Sequence, residues 1–128
     1  MAHLPLNAGV ASRIGKYSDG MLAQPNLRWV LTSGTPGLRP DGTCPDGIAE
    51  QAEWAWRNVL AILAEAGMGV EDLVKVTHYL TRAEDIPAYV AVRARFLGDV
   101  RPASMLLVVP ALVRAEFLVE VEACAARA

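Results

Sequence analysis

Glu71–Leu80 reads EDLVKVTHYL, and its pattern decides the fold. From Leu73 to Leu80 the side chains alternate with the two-residue period of a β-strand. Val74, Val76, His78 and Leu80 fall on one face, and Lys75, Thr77 and Tyr79 on the other. Just downstream the period changes. Ile86, Tyr89, Val90 and Leu97 mark the inner side of a helix over Ile86–Leu97. Pro87 suits its first turn, where no amide donor is needed. The chain then returns to strand over Ser104–Val109.

Working outward, IAEQAEWAWRNVLAILAEAG (Ile48–Gly67) is a second helix. Ile48, Ala52, Ala55, Val59, Ile62 and Leu63 form its apolar stripe, Asp46 can cap its start, and Gly67 stops it. Trp54 and Trp56 diverge by about 200° on a helix, so at least one leaves the stripe. LRWVLTS (Leu27–Ser33) reads as a strand ending at Gly34, and a shorter strand lies around Tyr17–Ala23. TPGLRPDGTCPDG (Thr35–Gly47) is a long surface loop. A last strand covers Phe117–Ala125. The order β-β-α-β-α-β-β, with room for one more short strand early, gives an α+β domain over residues 1–128, with both helices on one face of a mixed sheet.

Composition narrows the function. The 128 residues suit one domain with its own core. A net charge of −2 and a pI of about 5.6 argue against nucleic acid as a partner. No apolar run is long enough to span a membrane. The first residues, MAHLPLNAGVASR, lack a signal-peptide layout, so a cytoplasmic location is expected. Two cysteines are too few for a disulfide framework. The apolar fraction of 53% and mean hydropathy of +0.27 are high for a soluble domain. They point to a second apolar sheet face covered by other subunits, or simply to an alanine-rich chain.

Candidate chemistry is sparse. In LVEVEACA (Leu118–Ala125), Glu120 and Glu122 are two apart on a strand and share a face. A carboxylate in an apolar strand has its pKa raised and can serve as a general base. The ordinary alternative is a solvated or arginine-paired edge residue. His78 among valines reads as a satisfied structural histidine. His3 lies near a loose terminus, and nothing stands at metal-ligand spacing from His78, so no metal site is expected. Cys44 reads as an ordinary loop thiol and Cys124 as buried. The backbone amides at Ser33 and Gly34 can take an anionic oxygen, or form only a turn.

The order of several segments carries a further signal. IGKYSDG, VLTSG, the helix with Gln51, Asn58 and Ala66-Gly67, EDLVKVTHYLT, FLGDVRPAS and VPALVRAEFLVEVEACA together resemble the Rid family, the reactive intermediate deaminases, also called the YjgF family. The resemblance runs from about Ile14 to Ala125. It implies a homotrimer in which each subunit has a six-stranded sheet backed by two helices, the three sheets forming a barrel. It implies pockets between subunits, hydrolysis of enamines or imines to a keto acid and ammonia, and no cofactor.

By position, the resemblance implies that Tyr17 helps to place a small-molecule ligand. Ser33 and Gly34 match the family's turn at the pocket edge, and Glu120 matches the glutamate that holds a water. Glu122 stays structural. The family's RPAR motif, whose arginine grips a substrate carboxylate, reads RPAS here, with Ser104 in the arginine's place. Leu106 stands where many members have Cys or Thr, and its backbone can still serve. Losing a charged hydrogen bond weakens carboxylate binding roughly 10–100-fold. Arg101, three residues upstream, is too distant along an extended chain. Arg28, Arg93 and Arg114 have no position assigned by sequence.

The readings are therefore an imine or enamine hydrolase with altered specificity, a non-catalytic ligand-binding or regulatory trimer, and an endoribonuclease or translation inhibitor. The acidic pI disfavours the last.

Overall fold

The computed structural model describes residues 3–128. In chain order its elements are β1 (Leu4–Leu6), β2 (Gly20–Leu22), β3 (Arg28–Leu31), β4 (Thr35–Pro36), α1 (Ile48–Glu65), β5 (Leu73–Leu80), α2 (Ile86–Leu97), β6 (Ala103–Val108) and β7 (Val119–Arg127). The α+β class and the spans of β5 and α2 agree with the sequence pattern, but a register shift at the start of β5 puts Leu73 and not Val74 in the core, and on α2 Val92 is buried while Val90 is half-buried. β7 begins and ends two residues later than expected. β1 and β4 are additional strands, too short for a periodic signal. No helix among the described residues is long and apolar enough to cross a membrane.

The sheet is mixed. Its main path runs β3-β7-β5-β6, with β4 also paired to β7. β5 and β6 are parallel, joined by the crossover through α2, while β7 is antiparallel to β5. β1 and β2 form a separate two-stranded sheet. In place of one six-stranded sheet there are seven strands in two sheets, one of five and one of two. They are tied by a parallel bridge between Ser18 and Ala103 and by the Ser18 hydroxyl, which donates to the Arg101 carbonyl at 2.5 Å.

Both helices contribute to one core. Trp56, Val59 and Leu63 of α1 pack with Tyr89 and Val92 of α2 over Val76, Leu80, Val119 and Val121 of the sheet. The stripe on α1 is rotated from the expected one. Trp56 and Gln51 are buried, whereas Ile62 is 38% exposed. Trp56 wins that place because its ring stacks on Phe96 and its N–H finds an acceptor inside. Trp54 leaves the stripe, with the Arg57 guanidinium 5.3 Å from its ring centroid. Asp46 does not cap α1; Gly47 occupies the cap position, and no side chain bonds there. Gly67 ends the helix with φ +71°, as its position suggested.

His3 is not loose. It is buried, and Nε2 lies 3.1 Å from the carbonyls of Asp72 and Ala126, pinning the start of the chain to the main sheet. Cys124 is half-buried rather than buried, because it faces away from the helices.

Two polar side chains of α1 hold the loops that carry the site. The Gln51 amide donates to the carbonyls of Pro45 and Glu116 and accepts from the Leu118 N–H at 2.8 Å, which fixes the entry to β7. Asn58 donates to the carbonyls of Pro36 and Leu38. Between them Gly37 passes against the helix. A Cβ at Gly37 would overlap the Gln51 carbonyl oxygen and lie 2.7 Å from its carbon. Both clashing groups are backbone and cannot swing away. Gly37→Ala is expected to destabilise the fold by about 1–3 kcal/mol, or roughly 5–15 °C in Tm, measured by thermal unfolding.

Candidate functional site

The strand registers divide the candidate residues between two faces of the sheet. Glu120 pairs with Tyr79, and Glu122 with Thr77, so both glutamates point away from the helices. Ser104 pairs with Val76 and Leu106 with His78, so these point toward the helices. Glu120 and Ser104 of one chain therefore lie on opposite sides of the sheet.

The open face holds the first group. Its apolar side chains include Leu31, 74% exposed, together with Met105 and Leu107. Glu122 is engaged, accepting from the Tyr79 hydroxyl at 2.8 Å, and this bond raises the Tyr79 pKa. Glu120 makes no side-chain hydrogen bond among the described residues. Burial pushes its carboxyl above the usual carboxylate range. Gly34 lies directly against it: a Cβ there would sit 2.5 Å from Oε1. The Ser33 carbonyl accepts from the Thr32 and Thr35 hydroxyls, each at 2.9 Å, which shapes this turn. Ser33, Gly34 and Glu120 form one half of the candidate site.

The second group lines a cavity of about 550 Å³ between α2, β6 and the segment before β2. Tyr17, Ser104 and Leu106 all border it. Tyr17 is held there by its neighbour, since the Ser18 N–H donates to the Pro102 carbonyl at 3.2 Å. The walls are largely apolar, from Ile86, Val90 and Leu97 among others.

The four arginines separate cleanly. Arg93 and Arg101 line this cavity, and Arg28 and Arg114 do not. Arg28 donates to the Ala66 carbonyl at 3.3 Å, and Arg114 lies over the Phe117 ring. Arg101 also borders the cavity, from three residues before Ser104. Its Nη1 donates to the Gly98 and Val100 carbonyls.

Behind Ser104 runs a buried polar chain. Trp56 Nε1 donates to the Tyr89 hydroxyl at 3.2 Å, Tyr89 meets His78 Nδ1 in a short hydrogen bond, and His78 Nε2 lies 3.0 Å from Ser104 Oγ. His78 is thus satisfied inside the core, as a structural histidine should be, and it also touches the candidate site. Burial, aided by the Arg93 charge, drives its pKa down to about 3, so it is neutral.

A neutral imidazole has one donor and one acceptor. The Tyr89 oxygen already accepts from Trp56, and its own proton has only His78 Nδ1 to go to. His78 therefore carries its proton on Nε2 and donates it to Ser104. The Ser104 proton is left to point toward the cavity. This polarity makes Ser104 a hydrogen-bond donor and not a nucleophile activated by His78, whose Nε2 has no free lone pair.

His78, Tyr89, Trp56 and Arg93 are the residues near the site that sequence reasoning did not place there. A parallel pairing of the strands flanking α2 was the signal that could have brought His78 next to Ser104. Nothing local connects Trp56 or Tyr89 to it.

Comparison with known proteins agrees with this architecture. The family model described as Endoribonuclease L-PSP matches residues 10–127. A RutC family protein of Pyrococcus abyssi is 37% identical over 114 residues, covering 88% of this chain and 87% of its own. The 2-iminobutanoate/2-iminopropanoate deaminase of Rattus norvegicus is 31% identical over 114 residues, 88% of this chain and 80% of its own. The crystal structure of YyfB from Yersinia pestis, of the conserved Rid protein family, superposes with a TM-score of 0.85 over 98% of both chains, and at 23% identity it speaks for the fold.

Proposed function

The chain belongs to the endoribonuclease L-PSP family, the Rid (YjgF) family, and from that premise we propose that it is a small-molecule hydrolase of the imine or enamine deaminase type. The observation that carries the reading is Glu120: a carboxylate without a hydrogen-bond partner among the described residues, raised in pKa by burial, on a sheet face lined with exposed apolar side chains. The name of the rat relative supports the reaction class.

The chemistry runs as a simple addition and collapse. Glu120 takes a proton from water as the water oxygen bonds to the carbon of the protonated imine, and the C=N pair of electrons goes to nitrogen, which becomes a neutral amine. Glu120 then returns that proton to the amine, the C–N bond breaks to release ammonia, and the hydroxyl gives up its proton as the C=O bond forms. Ser33 and Gly34 border the water site, while Tyr17, Ser104 and the backbone at Leu106 orient the rest of the substrate.

These two halves face opposite sides of one sheet, so a complete site needs a second copy. In our reading three chains assemble so that the β6 edge carrying Ser104 in one subunit adjoins the open face carrying Glu120 in the next. Covering Leu31, Met105 and Leu107 supplies the driving force for that assembly. Ser104 brings a neutral donor where the resemblance places an arginine, so the way a substrate carboxylate is held, and with it the preference among imines, differs from the family's RPAR pattern.

The test generates imines of several amino acids in situ with an amino-acid oxidase and follows their loss with a trapping reagent, alongside light scattering for subunit number. A trimer that speeds the decay of at least one imine is expected. Ser104→Arg should shift the preference toward plain 2-imino acids by about 10-fold or more. A trimer inert toward every imine, before and after that substitution, would make this a ligand-binding protein and sink the hydrolase reading.

A further inference from the structure

The cavity beneath α2 carries charge of one sign. Lys16, Arg93 and Arg101 line it, and no acidic side chain does. Five arginines elsewhere have an acidic partner: Arg39 with Glu50, Arg82 with Asp85, Arg57 and Arg95 with Glu53, and Arg127 with Asp72. Arg101 is turned onto two backbone carbonyls at the end of α2. Arg93 differs from all of these. Among the described residues it has no ion pair and no side-chain hydrogen bond, and its guanidinium carbon lies 5.9 Å from the centroid of the Tyr89 ring. It is a half-buried cation whose donors are free, beside largely apolar walls.

The second observation is the direction of the buried hydrogen bonds. The chain Trp56, Tyr89, His78, Ser104 has one arrangement that satisfies every member, and it leaves the Ser104 O–H free to donate into the same cavity. Two donors, one charged and one neutral, then border a single apolar space with no acceptor side chain among its charged residues.

We propose that Arg93 and the Ser104 hydroxyl form a two-point anion clamp that holds the carboxylate of a small ligand whose apolar body lies against Val90, Leu97 and Leu106. A planar guanidinium matches the two oxygens of a carboxylate, and the serine proton meets a remaining lone pair. One full charge with one neutral donor suits a monoanion better than a phosphate dianion. The apolar walls call for an organic body. The inference deepens the proposed function and depends on it only for which cavity receives substrate: the charge that Ser104 lacks is supplied from α2. Tyr89, His78 and Trp56 act as positioning residues for Ser104. Arg93 also helps to hold His78 neutral, so the residue that attracts the anion favours the donor orientation of its partner.

The experiment titrates the intact protein with benzoate and with its neutral isostere benzamide, followed by protein NMR. Benzoate should bind about 10-fold tighter or more. Arg93→Gln should erase that preference, Arg93→Lys should restore part of it, and Arg101→Gln should leave it in place. Ser104→Ala should weaken both probes a few-fold. The ¹⁵N shifts of His78 should report a protonated Nε2 and a bare Nδ1.

Equal affinity for the two probes in wild type, saturation by neither, or a preference that survives Arg93→Gln would overturn the clamp. A His78 protonated on Nδ1 would remove Ser104 from it and overturn the two-point form. Imine turnover measured in parallel separates this inference from the reading it rests on. Turnover with no carboxylate preference defeats the clamp alone, and carboxylate binding with no turnover defeats the hydrolase alone.

Discussion

Glu120→Gln is expected to lower imine hydrolysis by about 10²–10⁴-fold at neutral pH while leaving the fold intact. The substitution keeps shape and removes only the capacity to take a proton. Glu120 has no side-chain partner among the described residues to lose, and its neighbour Gly34 gives room for an isosteric amide. A structural glutamate such as Glu122, bonded to the Tyr79 hydroxyl, should behave in the opposite way: Glu122→Gln should change stability more than rate. The pH profile gives an independent check. A general base works only when deprotonated, so the rate rises with pH through the Glu120 pKa. Burial raises that pKa, so the acid limb should lie above the ordinary carboxylate range. The measurement is kcat/KM against pH for wild type and both variants. Unchanged turnover in Glu120→Gln would move the water-activating group elsewhere.

Acid should unfold the protein through His78. An unfolded histidine titrates near 6.5, whereas the buried one stays neutral down to about 3. Between those values the unfolded state binds a proton that the folded state does not. By linkage, stability then falls as pH falls, by about 1.4 kcal/mol for each pH unit across the window. The loss stops below pH of about 3, where both states are charged. Over the whole window it is on the order of 4 kcal/mol, a large share of the 5–15 kcal/mol that holds a typical domain together. Protonation would also put a hydrogen on Nδ1 and so remove the acceptor of the Tyr89 hydroxyl proton inside the core. Urea unfolding at a series of pH values should show this slope in wild type. It should be strongly reduced in His78→Gln, which keeps a hydrogen-bonding side chain and has nothing to titrate. An equal slope in both proteins would assign the acid sensitivity to other groups.

Much of the architecture was legible residue by residue. The period-two alternation of Leu73–Leu80 marks a strand because successive side chains must take opposite faces. The spacing from Ile86 to Leu97 marks a helix because one stripe must meet the core. Gly67 ends α1 because its φ of +71° is a conformation that other residues rarely adopt. These are short-range consequences of backbone geometry, and no distant partner alters them. The exact stripe on α1 was less legible. Which of Trp56 and Ile62 goes inside depends on what waits there, and the Tyr89 hydroxyl and the Phe96 ring lie on another helix.

The candidate residues were named from the sequence, but their grouping was not. Alternation along a strand says that Glu120 and Glu122 share a face, and it leaves open whether Ser104 shares it too. That question is answered by register: the parallel pairing of β5 with β6 puts Ser104 beside Val76, and the antiparallel pairing of β5 with β7 puts Glu120 beside Tyr79. A slip of one residue in either ladder would exchange the faces. Cross-strand register is set by core packing over the whole domain. Sequence alone therefore determined the elements and the list of reactive groups. Only the tertiary structure decided that Ser104 sits on the helix side with His78 and Arg93, across the sheet from Glu120.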